Sequence, residues 1–157
     1  MRMQPDTIQR LRWPAVALLL AASLAAVWGC ESSAGRLAQR SAALAGGDEE
    51  TDVQAAIWVA SGEQQFARVC TACHGPAGVG RAGLGKQLAN SAFVQSLDDA
   101  ALLAFIKKGR YPGDPTNTTG VGMPAKGGNP ALSEDDLLDI IAYLRTLQRD
   151  VPAAPNG

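Results

Sequence analysis

Apolar residues along the chain fall into four stretches, and their spacing differs from one to the next. The first has no helical period: Trp13 to Gly29 runs without a charge. It follows a segment with Arg2, Arg10 and Arg12 against a single Asp6. A positive head before an apolar run is the pattern of an export signal. Its length also sits at the lower limit of a membrane span. The second stretch predicts a first helix over residues 52–69, with Thr51 or Asp52 as its cap. Gly62, Phe66 and Cys70 fall at four-residue intervals there, and so share one face. Gly62 inside a helix costs about 1 kcal/mol relative to Ala, which points to a backbone passing close by.

The third stretch follows a short helical turn expected over residues 90–94. Ser96 and Asp99 have the S-x-x-D spacing of a capping box, opening a helix with Leu102, Leu103, Phe105 and Ile106 on its apolar side. Lys107 and Lys108 suit the negative end of that helix, and Gly109 suits its stop. In the fourth stretch Ser133 to Asp136 form a second capping box. Leu137, Ile140, Ile141, Leu144 and Leu147 then recur at 3/4 spacing, which predicts an amphipathic helix of about four turns.

The intervening segments have other characters. Residues 31–50 are small and polar with no sustained apolar stripe, and predict a flexible tether; the alternative is a short helix over part of them. Residues 75–88 are Gly-rich and predict irregular chain. Residues 111–131 hold five Gly and four Pro around Met123-Pro124, a shaped loop. Residues 151–157 predict a disordered tail. The resulting division is an export segment over 1–29, a tether over 30–50, one folded domain over 51–150 and the tail.

Composition narrows the function classes. The chain has 157 residues and a formal net charge of −1, with 5% aromatics. That balance gives no electrostatic case for nucleic acid. A domain of about 100 residues buries only a modest share of its surface, so a bound apolar group would add core.

The chemistry concentrates in Cys70-Thr71-Ala72-Cys73-His74. C-x-x-C-H reads as covalent c-type haem attachment. Two thiols one turn apart reach the two vinyl groups of a porphyrin, and the next imidazole meets the iron. Zinc is one rival, but it takes four ligands, and the chain has one further cysteine, Cys30, and no further histidine. A thioredoxin-like redox pair is another, and it needs a βαβ context. No nucleophile set, acid/base pair or phosphate loop competes as an enzyme site.

With these residues in view, the chain resembles the class I, single-haem cytochromes c. The resemblance covers about residues 52–149. In that family a glycine and an aromatic residue before the first cysteine meet the C-terminal helix; Gly62 and Phe66 stand at those offsets, with Ile140 and Tyr143 as their partners. The resemblance implies an all-α cytochrome c fold, with N- and C-terminal helices crossing and loops enclosing one covalent haem c. It implies iron ligation by His74 and Met123, attachment through Cys70 and Cys73, and a hydrogen bond from the His74 ring to a carbonyl near Lys86. Lys107, Lys108 and Arg110 are candidates for steering a partner or meeting a haem propionate, or are simply a solvated helix end. Separately, Val27-Trp28-Gly29-Cys30 resembles a bacterial lipobox, implying lipidation of Cys30. An uncleaved anchor and ordinary secretion remain alternatives, and all three put the domain outside the cytoplasm, on the periplasmic or extracytoplasmic side.

The expected role is a one-electron carrier rather than an enzyme, tethered to a membrane and serving redox complexes or other carriers of a respiratory chain. One alternative is a haem subunit built into a quinol-oxidising or terminal oxidase complex. Another is a haem ligand sensor or peroxidase-like enzyme, should Met123 be labile.

Overall fold

The computed structural model describes residues 32–47 and 49–148. The apolar run 13–29, Cys30 and the 151–157 tail lie outside the described residues. Among the described residues six α-helices follow one another: α1 (Ser33–Leu44), α2 (Glu49–Val69), α3 (Thr71–His74), α4 (Ala92–Ser96), α5 (Asp99–Lys108) and α6 (Glu134–Thr146). Short 3-10 turns at Pro76–Gly78 and Ala125–Gly128 shape the loops. Among the described residues there is no β-strand, only isolated bridges between Arg81 and Gly85 and between Arg110 and Met123. This is the all-α fold expected. No helix among the described residues is long and apolar enough to cross a membrane.

The crossing of α2 with α6 organises the domain. A Cβ on Gly62 would overlap the Asp139 carbonyl and come within 2.9 Å of the Ile140 nitrogen. Only a residue without a side chain lets the two backbones meet there. One turn on, the Phe66 and Tyr143 rings stand 5.4 Å apart at 56°, a tilted pairing that suits aromatic quadrupoles. Leu137, Ile140, Ile141 and Leu144 are at most 3% exposed, so the predicted stripe of α6 is the floor of the core. Leu102, Leu103 and Ile106 of α5 close it from the other side.

Helix ends are set by chemistry that the sequence partly reveals. α6 begins with the predicted box: the Ser133 hydroxyl accepts from the Asp136 N–H at 3.1 Å, and Asp136 accepts from the Ser133 N–H at 2.8 Å. α5 differs from expectation. Its cap is Asp98, which accepts from the Ala101 N–H at 2.7 Å. Ser96 instead ends α4, and its hydroxyl donates to the Phe93 carbonyl. Asp99 is thereby released to pair with Arg145 at 2.8 Å. α2 starts earlier than expected, at Glu49, because Glu49, Glu50 and Asp52 all sit in its first turn, where the helix dipole favours acids. Thr51 and Asp52 are thus inside the helix, not its cap.

The segment expected as a tether takes the alternative reading instead, a short helix, since residues 33–44 form α1. Arg36 pairs with Glu134 at 3.3 Å and with Asp135 at 3.2 Å. Arg40 pairs with Asp139, reaches Asp135 at 3.8 Å, and lies 4.7 Å above the Trp58 ring. Leu37 packs on the core and Ala43 is buried. Two arginines one turn apart, matched to three acids on α6, hold a helix that has little apolar stripe of its own.

Candidate haem site

α2 ends at Val69, and the chain continues without a break into the short helix α3. The His74 N–H donates to the Cys70 carbonyl at 2.9 Å, which closes one turn around the motif. Cys70, Cys73 and His74 are thereby carried to the same wall. Cys70 and Cys73 are free thiols. Burial first, and then the neighbouring Cys73, push the Cys70 thiol up to about 11. Redox-active C-x-x-C pairs depend on a lowered thiol pKa, so this environment disfavours that reading.

His74 is oriented from behind. Its Nδ1 lies 2.7 Å from the Lys86 carbonyl. A carbonyl only accepts, so Nδ1 carries the proton and Nε2 is left with its lone pair. In metal sites a backbone carbonyl placed this way fixes the tautomer and ring orientation of the imidazole. The resemblance implied such a contact to a carbonyl near Lys86, and Lys86 supplies it.

Cys70, Cys73, His74 and Met123 all line one cavity of about 580 Å³, within the size range of small-molecule and cofactor pockets. Phe66, Leu102, Ile106, Leu137, Ile140 and Leu144 form an apolar part of its wall. Met123 arrives on the loop between α5 and α6. Its backbone is paired with Arg110 by two hydrogen bonds of 2.8 Å, one in each direction. Gly109, at φ +70°, sits where a Cβ would overlap the Met123 carbonyl. The end of α5 therefore fixes the height of the methionine loop through main-chain atoms.

The remaining loop is held by short polar side chains. The Asn117 Oδ1 accepts from the Thr119 and Gly120 N–H groups, both at 3.0 Å. Its amide donates to the Val121 carbonyl at 2.8 Å. This network ties residues 117–121 together, next to Thr116, whose carbonyl accepts from Arg110 at 3.3 Å.

The donor set fits a c-type haem: two free thiols, an oriented imidazole, a thioether and a largely apolar cavity. It does not fit a zinc site. Among the described residues no group of three or more His, Cys, Asp and Glu could hold a metal ion.

Of the candidate basic residues, the structure separates the roles. Lys107 pairs with Glu134 at 2.7 Å. Lys108 is exposed. Arg110 lines the cavity. Two structural residues near the site were not foreseen. Arg145 donates to Asp99 and to the Val94 and Leu97 carbonyls at 2.8, 2.8 and 2.6 Å. Gln148 donates to the Leu88 carbonyl and accepts from the Ser91 N–H. Both tie the loop after the C-x-x-C-H motif, or the helices behind it, to α6. Their only sequence signal is a polar residue at the end of an amphipathic helix.

Comparison with known proteins gives the chain its family. The chain is 31% identical over 107 residues to the Cbb3-type cytochrome c oxidase subunit CcoP of Azospirillum brasilense. The aligned region is 65% of this chain and 36% of that relative, so the chain spans little more than a third of it. No solved structure matches. The family described as Cytochrome C oxidase, cbb3-type, subunit III matches residues 58–144, from within α2 almost to the end of α6. By this match the chain belongs to that cytochrome c family, for which c-type haem is the expected cofactor.

Proposed function

We propose that the domain carries one haem c and works as an electron-transfer subunit of a membrane-bound terminal oxidase. The observation that carries the reading is the meeting of Cys70, Cys73, His74 and Met123 on one cavity, with His74 already oriented by the Lys86 carbonyl. In this proposal Cys70 and Cys73 would hold the haem through thioether bonds, and His74 and Met123 would ligate its iron. When bound, the haem supplies reversible one-electron chemistry at iron.

The protein's own contribution is to fix and to shield. Main-chain pairing between Arg110 and Met123 holds the thioether at constant height. The Lys86 carbonyl accepts from Nδ1, which leaves Nε2 as the nitrogen that would ligate the iron. Leu102, Ile106, Leu137, Ile140 and Leu144 exclude water, which limits reorganisation on electron exchange. A methionine ligand raises the potential relative to more basic ligands. With His74 and Met123 both ligating, electron exchange would be favoured over reaction with small molecules; the sensor and peroxidase-like alternatives require a labile Met123, which carbon monoxide binding to the reduced holoprotein tests.

Two observations favour a built-in subunit over a shuttling carrier. One is membership of an oxidase subunit family. The other is α1: twelve residues of the expected tether are helical and are ion-paired to α6, so less chain is left to swing. For the membrane side we propose an exported, periplasm-facing domain with Cys30 as a lipidation site. Residues 1–29 are then an export segment, and residues about 51–150 the cytochrome domain.

Expression with haem-attachment machinery tests the cofactor reading. The expected product stains for haem on a denaturing gel, and its mass exceeds the polypeptide by one haem. A polypeptide mass alone refutes it. Co-purification with a membrane oxidase tests the partner, and mass spectrometry of the mature N-terminus tests Cys30.

A further inference from the structure

Among the described residues, Arg110 is the cationic side chain on the cavity wall that is held in place there while its donors remain mostly unspent. Its guanidinium lies 5.0 Å from the Phe93 ring centroid and 4.9 Å from that of Phe105. Those two rings meet edge to face at 5.0 Å, so the cation rests on a paired aromatic platform. A guanidinium offers five donors. Here its one hydrogen bond among the described residues runs from Nη1 to the Thr116 carbonyl at 3.3 Å. No carboxylate among the described residues forms an ion pair with it. Asp114, the acid close enough to feel its charge, is engaged with the Thr116 N–H and hydroxyl.

The other cations on the wall are differently placed. The Lys126 ammonium donates to the Leu132 carbonyl at 2.7 Å and to the Pro130 carbonyl at 3.4 Å. Lys86 is exposed, and a hydrated ammonium gains little from a fixed partner. Next to Arg110 the lining turns polar, with Thr116, Asn117, Thr118 and Thr119. A cavity with an apolar wall and a polar, cationic flank matches a macrocycle that carries carboxylates on one edge.

We propose that Arg110 is a positioning residue that binds a haem propionate through its free guanidinium edge. This rests on the haem reading above. Planar guanidinium matches carboxylate geometry, often with two parallel bonds, and the aromatic platform pre-orients it. The residue then acts at two places. Its side chain fixes the propionate edge, and its backbone fixes Met123. It also sets charge: a cation beside the haem opposes the oxidised, more positive iron and so raises the potential.

The test uses the holoprotein in three forms: wild type, Arg110→Gln and Arg110→Lys. Midpoint potential is measured by redox titration, and propionate carboxylate bands by redox-difference infrared spectroscopy. Arg110→Gln is expected to lower the potential and shift the carboxylate bands. Arg110→Lys is expected to recover most of the potential while the bands stay shifted, because charge returns without the planar fork. A glutamine variant with wild-type potential and wild-type bands overturns the proposal. If the glutamine variant does not retain haem, the lysine variant decides alone: shifted bands support the proposal and unchanged bands overturn it. Absence of haem from the wild-type protein overturns the haem reading and this inference together.

Discussion

Gly62 and Asp139 meet backbone to backbone, with no room for a Cβ between them. That contact joins the helix that carries the C-x-x-C-H motif to the helix that floors the cavity. Gly62→Ala should therefore destabilise the protein, although alanine favours the helix by about 1 kcal/mol over glycine. Overpacking typically costs about 1–3 kcal/mol, and the clash is with main chain, which cannot rotate away. The net expectation is a loss of up to about 2 kcal/mol, larger for Gly62→Val. Denaturant unfolding checks it. An unchanged midpoint would mean that α6 shifts freely to admit a methyl group.

Part of this crossing was legible in the residues themselves: Gly62 inside a helix, one turn from Phe66, pointed to a backbone passing close by. Which backbone was implied by the resemblance to the cytochromes c, since Ile140 and Tyr143 lie far along the chain and no local pattern pairs them with Gly62 and Phe66. The His74–Lys86 contact was likewise implied by the resemblance, and it survives a lysine at that position because a backbone carbonyl does not depend on the side chain. The cap of α5 was not legible. Ser96 and Asp98 both offer capping oxygens within three residues, and only the packing of α4 decides that Ser96 belongs to the earlier helix. α1 was hidden more deeply. Its hold on the domain is Arg36 and Arg40 against acids about 100 residues away, a match that no local period records. Arg145 was hidden likewise, because its three acceptors lie on α4, on α5 and between them.

The α1 contact should be measurable as a coupling between Arg40 and Asp139. Both side chains are nearly buried, at 11% and 13% exposure. Removing one partner of a buried pair leaves a charge without compensation, a loss of about 3–5 kcal/mol when burial is complete. Arg40→Ala should lose somewhat less, about 2–3 kcal/mol, since a little water reaches both groups. The double variant Arg40→Ala/Asp139→Ala should be closer to wild type than the sum of the single losses. Denaturant unfolding of the four proteins gives the coupling. Strictly additive losses would show that α1 rests on the domain without this pair.

Asp136 gives the domain a pH dependence with a definite sign. Its hydrogen bonds from the Ser133 hydroxyl and N–H, with a further one from Gln65, hold its carboxyl below the ordinary 3.8. A lowered folded-state pKa means that the unfolded chain takes up the proton first. The contribution is thus complete above 3.8 and is lost as pH falls through the lower, folded value. At neutral pH, Asp136→Asn should cost about 0.5–1 kcal/mol through the cap and the helix dipole. The gap between variant and wild type should close in strong acid. Unfolding midpoints measured from neutral pH down to about 2.5 check this against the linkage relation, and a gap independent of pH would assign the effect to shape rather than charge.

Met123→Ala tests the proposed axial ligand with little disturbance to the loop that presents it. The two hydrogen bonds between Met123 and Arg110 are main chain to main chain, and Gly109 packs against the Met123 carbonyl rather than its side chain. The backbone should therefore keep its path when the thioether is removed. The wild-type holoprotein should bind carbon monoxide poorly in its reduced form, because both axial positions are filled. The variant should bind it readily, and its midpoint potential should fall, because methionine is the ligand that favours reduced iron. Stability should also drop by about 2–4 kcal/mol, as for other partly buried large-to-alanine changes. Carbon monoxide titration and redox titration on the same two proteins separate these effects. Weaker stability with an unchanged potential and unchanged carbon monoxide binding would make Met123 a packing residue of the cavity wall and would leave the sixth position to another group.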